Sequence, residues 1–520
     1  MAGSPGESGR AQPRNAPSLA VIGAGVAGCA LAAGLRRGGW EGSIVLWEAG
    51  RGPGGRAATR RSRHDAGWRV DHGAPLLNLL EGPEPELVAP LRSGGWIVPW
   101  QEPAAVLLGE DGTLGPAQAD PLLRGSLYRG RRGMDGLCRG LLTLALAQGP
   151  PDTLTSRYGT LVRHLEVRPE GGWRLADATG ALLGEADWLV LSSTLLAHPR
   201  AMERFGWSQL PLQHATEGLG DGALAAALAA IARMEVAART NLMLTIDPTT
   251  AARWLALPFR LLSFDSQAQR RWGLRRLSVQ PLADGRCTVV AHGAPSGPAA
   301  RGGAEQDTAD IAALEEAVAG ALAPWLGDRS CGGDALEGVA QRQLMRWGAA
   351  FPVAPGLPTA AMVCPASRVA FCGDYIEGPG FGRIEGALRS AQALAGRLLA
   401  LVLLLCLALG GPSMAAAEAV AYRCDGDLLL ATSDNGAVDA PGIPNTTGGT
   451  VPGATVLLAW RDLRLQLPRT NNAGPPSYTD GLWWWSLEDP QQPRFLHRRG
   501  GIEQFSCQAI PAAAPPADGR

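Results

Sequence analysis

Six residues near the amino terminus have the types and spacing of a phosphate-binding turn. The apolar segment Leu19–Ile22 is typical of a short strand, and Gly23-Ala24-Gly25-Val26-Ala27-Gly28 follows it. The first glycine permits a tight turn, the second lets the backbone approach a pyrophosphate, and the third lets the next helix pack against the strand. Because the first N–H groups of that helix have no partner within it, they can bind phosphate oxygens. The motif therefore predicts a dinucleotide site.

A carboxylate lies where it can bind the ribose of such a ligand. The second apolar strand, Ser43–Trp47, ends at Glu48, which is 20 positions after Gly28. A carboxylate at this place accepts a hydrogen bond from a ribose 2′-OH and disfavours a 2′-phosphate, so NADP is not expected here. The alternative is a turn without a ligand, in a chain that contains 69 glycines.

Further glycine-rich blocks follow in the same chain. Gly54-Gly55-Arg56 comes after the second strand, and Val70-Asp71-His72-Gly73-Ala74 comes next. Much later, Gly373-Asp374 follows an apolar strand and precedes a helix that starts near Ile384. These blocks resemble the FAD-binding amine oxidase superfamily. The resemblance implies bound FAD, with the helix dipole near Ile384 stabilising negative charge on the reduced flavin.

The motif and the resemblance together predict a set of cofactor-binding residues. They are Gly23, Ala24, Gly25, Val26, Ala27, Gly28, Glu48, Gly54, Gly55, Arg56, His72, Gly73, Ala74, Val162, Gly373, Asp374 and Ile384. An arginine beside a glycine turn can neutralise pyrophosphate charge. For His72 the alternative is a hydrogen-bonded structural histidine.

Two segments narrow the resemblance to renalase-like flavoproteins. They are the 129–135 stretch RGRRGMD and the 346–352 stretch RWGAAFP. The resemblance implies that a small reduced substrate, of the dihydronicotinamide or amine type, gives a hydride to FAD, with O₂ as a possible electron acceptor. It also predicts that Trp347, Phe351 and Phe381 line the substrate site; the alternative for Trp347 is a core position. The chain contains no lysine, which disfavours an amine oxidase that holds a water with a lysine.

The length of 520 residues suits two or three domains. We predict an α/β fold: a disordered tail over 1–17, a Rossmann-type FAD-binding domain over 18–400 with an inserted α+β substrate subdomain at about 200–345, and a small all-β barrel over 418–520. The net charge of −1 gives no indication of nucleic-acid binding. Because no cysteine and histidine have the spacing of a metal site, no metal is expected.

An apolar run separates the two predicted domains. Between Arg397 and Glu418 the chain carries no charged residue. Basic residues, an apolar stretch and small residues in this order are typical of a signal peptide, and the length also suits a transmembrane segment over 398–417. As an inner-membrane anchor it would leave the flavin domain cytoplasmic and the carboxyl-terminal domain periplasmic. The alternative is the end of the last helix of the flavin domain.

The carboxyl-terminal segment has short apolar runs separated by Gly, Pro and Asn turns, which indicates an all-β domain. It begins with Tyr422-Arg423-Cys424, and the 478–485 stretch YTDGLWWW lies near its centre. These features resemble the C-type lysozyme inhibitor family. The resemblance implies a disulfide between Cys424 and Cys507. As an alternative function, it implies an envelope-exposed binding module that contacts and inhibits C-type lysozyme.

Overall fold

The computed structural model describes residues 16–294, 303–327, 336–408, 420–434, 455–461, 463–470 and 475–510. The chain divides into two compact units, Met1–Leu404 and Leu405–Arg520. Most of the predicted tail, residues 1–15, lies outside the described residues. The same is true of residues 409–417 in the predicted signal or transmembrane segment.

The first unit alternates strands and helices. Its elements up to residue 191 are β1 (Leu19–Ile22), α1 (Val26–Arg37), β2 (Ile44–Glu48), β3 (Thr59–Arg61), β4 (Arg69–Asp71), β5 (Leu77–Leu79), α2 (Val88–Ser93), β6 (Ile97–Pro99), β7 (Ala104–Leu108), β8 (Thr113–Pro116), β9 (Ser126–Gly130), α3 (Asp135–Ala147), β10 (Leu154–Tyr158), β11 (His164–Val167), β12 (Trp173–Ala176), β13 (Leu182–Ala186) and β14 (Trp188–Leu191). The elements that follow are α4 (Arg200–Phe205), α5 (Pro211–Ala215), α6 (Gly222–Arg233), β15 (Val236–Ile246), α7 (Pro248–Leu255), β16 (Leu261–Phe264), α8 (Ser266–Trp272), β17 (Leu274–Pro281), β18 (Cys287–Gly293), α9 (Ala304–Leu326), β19 (Val339–Pro352), β20 (Val363–Cys364), β21 (Val369–Phe371) and α10 (Ile384–Ala408).

A six-stranded sheet in the order β10-β2-β1-β14-β21-β20 forms the first layer. Leu19 of β1 pairs with Ile44 on one side and with Trp188 on the other, in parallel. All four residues of β1 are buried, as expected for a parallel strand that is covered on both faces. This arrangement confirms the predicted Rossmann-type α/β fold.

A seven-stranded sheet in the order β19-β15-β18-β17-β16-β7-β8 forms the second layer. It contains the strands expected for the inserted subdomain near 200–345. It also includes β7 and β8 from the Pro/Gly-rich segment 81–125, where the composition indicates mainly loops. This segment joins the sheet through β7, which pairs in parallel with β16 from Leu261↔Ala104 to Phe264↔Leu107.

One helix prediction differs from the structure. The alanine-rich segment Gly222–Arg239 predicts a helix, but α6 ends at Arg233 and β15 begins at Val236. Residues from Val236 onward pair with β19, with Val236 opposite Pro352. Tertiary pairing therefore overrides the helix propensity of the remaining alanines.

The last helix of the first unit, α10, contains the beginning of the apolar run. Leu388, Leu394 and Leu398 on this helix are buried in the core of the first unit. Among the described residues, no helix is both long enough and apolar enough to cross a membrane. The signal or transmembrane interpretation of 398–417 stays a prediction.

The second unit is an antiparallel sheet of eight strands. They are β22 (Val420–Cys424), β23 (Asp427–Asp434), β24 (Thr455–Trp460), β25 (Leu463–Pro468), β26 (Ser477–Thr479), β27 (Trp483–Ser486), β28 (Arg494–Arg498) and β29 (Ile502–Ala509). Their order is β25-β24-β23-β22-β29-β28-β27-β26, and a bridge between Arg469 and Tyr478 brings the two edges together. The predicted small all-β barrel is confirmed, and the structure shows it to be nearly closed. A disulfide joins Cys424 and Cys507, which are paired residues of β22 and β29.

Candidate functional site

A cavity of about 610 Å³ lies between the two sheets of the first unit. One wall consists of residues that follow the carboxyl ends of parallel strands: Gly23 after β1, Ser192 after β14 and Gly373 after β21. The other wall belongs to β15, β17, β18 and β19 of the seven-stranded sheet. Ligands of doubly wound sheets bind outside the carboxyl ends of the strands, and this cavity occupies that place.

The glycine turn between β1 and α1 has the geometry that phosphate binding requires. Gly23 has a φ of +109°, which is strained for any other residue. A Cβ at Gly28 would collide with the carbonyl oxygen of Gly23, so the helix could not start so close to the strand. No side chain caps α1, whose N-cap is Gly25. The N–H groups of its first turn are therefore available to an anion at the cavity.

A narrow cradle forms where Gly25 meets the Gly54-Gly55 turn. The N–H of Gly54 donates to the carbonyl oxygen of Ala24 at 3.0 Å, and Gly25 forms a bridge with Gly54. A Cβ at Gly55 would lie 3.1 Å from the Cα of Gly25. Gly55 also has a φ of +56°, so the close approach and the backbone conformation both require glycine at this position.

Glu48 ends β2 at the rim of the cavity, with its carboxylate directed back to the turn. The N–H of Ala24 donates to Glu48 Oε2 at 2.9 Å, and the N–H of Gly50 donates to Oε1 at 2.6 Å. These bonds fix the carboxylate beside the glycine turn and leave further lone pairs on both oxygens. The position is the one expected for a ribose-binding carboxylate.

Arg56 connects the glycine turns with the carboxyl-terminal block of the site. Its guanidinium forms an ion pair with Asp374, and its Nη1 donates to the carbonyl oxygen of Ala350 at 3.1 Å. Gly73 lies against the backbone of Arg56, where a Cβ would collide with the Arg56 carbonyl. Segments that are far apart in the sequence therefore meet at Arg56, some at its side chain and one at its backbone.

The start of α10 faces the same cavity. Ile384 and Ala387 line it, next to Gly373 and Asp374. The hydroxyl of Ser390 holds both backbone groups of Gly373, accepting from its N–H at 3.0 Å and donating to its carbonyl at 2.9 Å. The positive end of the α10 dipole therefore lies beside the cavity and favours negative charge there.

His72 lies behind the cavity surface. It is 6% exposed, and its ring stacks on Trp347 with centroids 5.3 Å apart. Burial, reinforced by the charge of Arg60, lowers the pKa of His72 to about 4. The side chain is therefore neutral at pH 7 and supports Trp347, which itself lines the cavity.

The structure brings most of the predicted residues to the cavity. Those that line it are Gly23, Gly25, Val26, Ala27, Glu48, Gly54, Gly55, Arg56, Gly73, Ala74, Gly373, Asp374, Ile384, Trp347 and Phe351. Five predicted residues are not part of its lining: Ala24, Gly28, His72, Val162 and Phe381. Val162 is buried in the core, and Phe381 packs near Gly356.

Sequence reasoning missed a group of arginines that line the cavity. The group consists of Arg200, Arg204, Arg239, Arg275 and Arg276. No motif marks them, because they are five of 47 basic residues and their convergence depends on how distant strands pair. The full absence of lysine was the available signal that arginine performs every cationic role.

Two sequence families match parts of the chain. A family described as an NAD(P)-binding Rossmann-like domain matches residues 21–87, which cover the glycine turn, Glu48 and the Gly54-Gly55 turn. A domain of unknown function, DUF8671, matches residues 432–507 in the second unit. No curated protein sequence matches the chain. The family match agrees with the Rossmann-type strand order.

Solved structures similar to this chain include several oxidases. A candidate protoporphyrinogen oxidase from Exiguobacterium is 14% identical with a TM-score of 0.49, and cyclohexylamine oxidase from Brevibacterium oxydans is 16% identical with a TM-score of 0.48. A putrescine oxidase bound to putrescine is 14% identical with a TM-score of 0.48. Each alignment covers 74% of this chain and 99% of the other. Because these identities and TM-scores are low, the fold assignment rests on the strand order and on the family match to residues 21–87.

Proposed function

We propose that the first unit binds FAD in the cavity and acts as an oxidoreductase on a small molecule. The observation that carries this proposal is the convergence of three blocks: the glycine turn with Glu48, the Gly54-Gly55-Arg56 turn, and Gly373-Asp374 with the start of α10. A mononucleotide would need only the first block. A cavity that extends from the glycine turn to α10 suits an elongated dinucleotide.

The residues present fit the parts of FAD. The first turn of α1 and the cradle at Gly25 and Gly55 would hold the pyrophosphate, because a side chain at either glycine would fill that space. Glu48 would accept hydrogen bonds from the adenosine ribose. Gly373 and Asp374 would bind the phosphate and ribityl region, and the start of α10 would face the flavin ring.

When bound, FAD supplies a group that accepts a hydride from a substrate C–H bond. The residues of this chain position the reacting partners. Trp347, supported by His72, and Phe351 form an aromatic surface at the cavity. The α10 dipole favours negative charge on the ring system. His72 is neutral at pH 7 because burial lowers its pKa to about 4, so it holds no proton to donate as an imidazolium.

The renalase-like resemblance supports a finer proposal. We expect a dihydronicotinamide or an amine as hydride donor and O₂ as the final electron acceptor. Mixing the protein with reduced nicotinamide isomers under anaerobic conditions would bleach the flavin absorbance, and admission of air would restore it. Bleaching by putrescine instead would favour an amine substrate.

The first experiment is to purify the full chain and measure its absorbance spectrum. We expect flavin bands, and heat denaturation should release FAD in a ratio near one per chain. A colourless protein that takes up no added FAD but binds NAD would refute the flavin proposal. It would leave the Rossmann-type fold intact.

The second unit has a separate candidate function as a lysozyme-binding module. The nearly closed barrel, the disulfide and the resemblance of the 478–485 stretch support this proposal. Tyr478 and Trp485 are buried in the barrel core, whereas Trp484 is 46% exposed and is available for contact. In a turbidity assay the full chain would slow C-type lysozyme, and Trp484→Ala would reduce the effect. Unchanged lysis at excess protein would exclude inhibition.

A further inference from the structure

The cavity wall formed by the seven-stranded sheet has an excess of positive charge. Arg239 on β15 and Arg275 and Arg276 on β17 all line the cavity, and we call these three residues the arginine wall. Asp120 lies 3.7 Å from Arg276 and 4.0 Å from Arg275. Within the described part of the chain, this is the one carboxylate that pairs with the arginine wall.

Arg239 is the least compensated member of the arginine wall. It is 8% exposed, and no carboxylate among the described residues lies within ion-pair distance of it. Its guanidinium lies 5.6 Å from the ring centre of Phe351, and its Nη1 donates weakly, at 3.4 Å, to the carbonyl of Ala238. Burial and the charges of Arg275 and Arg276 lower its pKa to about 10, so it remains protonated at pH 7. A buried charge without a counter-ion is costly unless a ligand supplies one.

Arg276 adds unused hydrogen-bonding capacity to the same wall. It is also 8% exposed, and its buried Nη2 makes no hydrogen bond within the described residues, because its ion-pair partner, Asp120 Oδ2, lies 3.7 Å away. His292 on β18 faces the cavity beside it, and its buried Nε2 is likewise without a partner in that part of the chain. Burial and neighbouring arginines lower the pKa of His292 to about 3, so the ring is neutral.

Three other arginines of the cavity have carboxylate partners. Arg56 pairs with Asp374, Arg383 pairs with Glu81 and Glu385, and Arg346 pairs with Asp307 and Asp310. Their charges are therefore neutralised within the protein. Arg200 on α4 also lines the cavity and has no carboxylate within ion-pair distance among the described residues. Uncompensated charge therefore lies at the arginine wall and at Arg200.

We infer that the substrate carries an anionic group, a carboxylate or a phosphate, which the arginine wall binds across the cavity from the glycine turn. The inference rests on the proposed function, because FAD accounts for the wall that contains the glycine turns. A guanidinium matches a carboxylate or a phosphate with two parallel hydrogen bonds. A diamine would instead place like charges side by side in a poorly solvated site, which is unfavourable.

The test is calorimetric titration of the full, flavin-loaded chain with succinate, with inorganic phosphate and with putrescine. We expect saturable binding of an anion and none of putrescine. Binding of succinate alone identifies a carboxylate subsite, and binding of phosphate alone identifies a phosphate subsite. R239Q and R276Q should each weaken anion binding at least tenfold. R174Q, which changes an exposed arginine on β12, is the matched control and should bind as the wild type does.

Two results would overturn the inference: no binding of either anion, or anion binding that R239Q and R276Q leave unchanged. The flavin spectrum separates this inference from the proposed function. A yellow protein that binds no anion refutes the inference alone. A colourless protein whose anion binding depends on Arg239 refutes the FAD assignment alone. If R239Q does not fold by circular dichroism, R276Q and the charge-conserving R239K decide the question.

Discussion

The Gly25→Ala variant tests the phosphate cradle with little disturbance of the fold. Gly25 has φ −75° and ψ −175°, which alanine adopts without strain. The new methyl group would meet one atom, the Cα of Gly55 at 3.8 Å, which is an ordinary contact distance. We therefore expect the ligand-free protein to keep its stability, with a gain of up to ~1 kcal/mol from the stiffer unfolded chain.

Ligand binding should respond very differently. The methyl group occupies the space where a pyrophosphate oxygen would approach the first N–H groups of α1. Loss of one hydrogen bond to a charged group costs about 1.5–3 kcal/mol. The Kd for FAD should then rise by roughly 10- to 140-fold.

The assay has two readouts on the full chain. Titration of the apoprotein with FAD, followed by quenching of flavin fluorescence, gives the Kd, and thermal unfolding without FAD gives the stability. Gly222→Ala is the matched control, because a Cβ there meets no atom within 4 Å and lies outside the cavity lining. A Gly25→Ala protein that binds FAD with the wild-type Kd would show that the pyrophosphate does not approach this turn.

Three further variants test other parts of the structure. Glu48→Ala removes the carboxylate beside the turn, and in the same titration the Kd for FAD should rise about tenfold, the cost of roughly one hydrogen bond; an unchanged Kd would exclude a ribose contact. The pKa of His292 is about 3 in the folded chain and about 6.5 in the unfolded chain, so the unfolded state binds more protons between these values and the free energy of unfolding falls as the pH drops through this window. His292→Gln should flatten that fall in urea titrations at several pH values, whereas His64→Gln, an exposed control, should not. Replacement of Cys424 and Cys507 by serine opens a cross-link between residues 83 positions apart, which should cost the second unit about 4–5 kcal/mol and make it sensitive to limited proteolysis while the flavin bands persist; equal resistance of the two proteins would contradict this.

Much of the first wall of the cavity was predictable because its chemistry is local. A turn with φ +109° at Gly23 requires glycine, and the nearby backbone of Gly25 leaves no room for a side chain at Gly55, so the residue types themselves mark the site. Gly373 is a similar position, because it has a φ of +156° and the Ser390 hydroxyl bonds to both of its backbone groups. Such positions constrain the sequence directly.

The second wall was not predictable for the opposite reason. Arg239 reaches the cavity because β15 pairs with β18 and β19, and the alanine-rich sequence before it favours a continuing helix. β7 belongs to the same sheet although its surroundings are rich in proline and glycine. In both cases long-range strand pairing decides whether the segment forms a strand of this sheet, and a single sequence contains little information about such pairing.

The pairing of β7 with β16 also has a consequence for how the chain folds. One edge of β7 pairs with β8, which follows it directly in the sequence, but the other edge pairs with β16, more than 150 positions later. The sheet is complete only when β19 has been added, up to Pro352. High contact order of this kind slows folding and exposes unpaired edges during synthesis. The sheet is therefore not a module that can be excised or exchanged at residues 200 and 345. Transfer of the arginine wall to another protein would therefore require both the segment that contains β7 and β8 and the segment from β15 to β19.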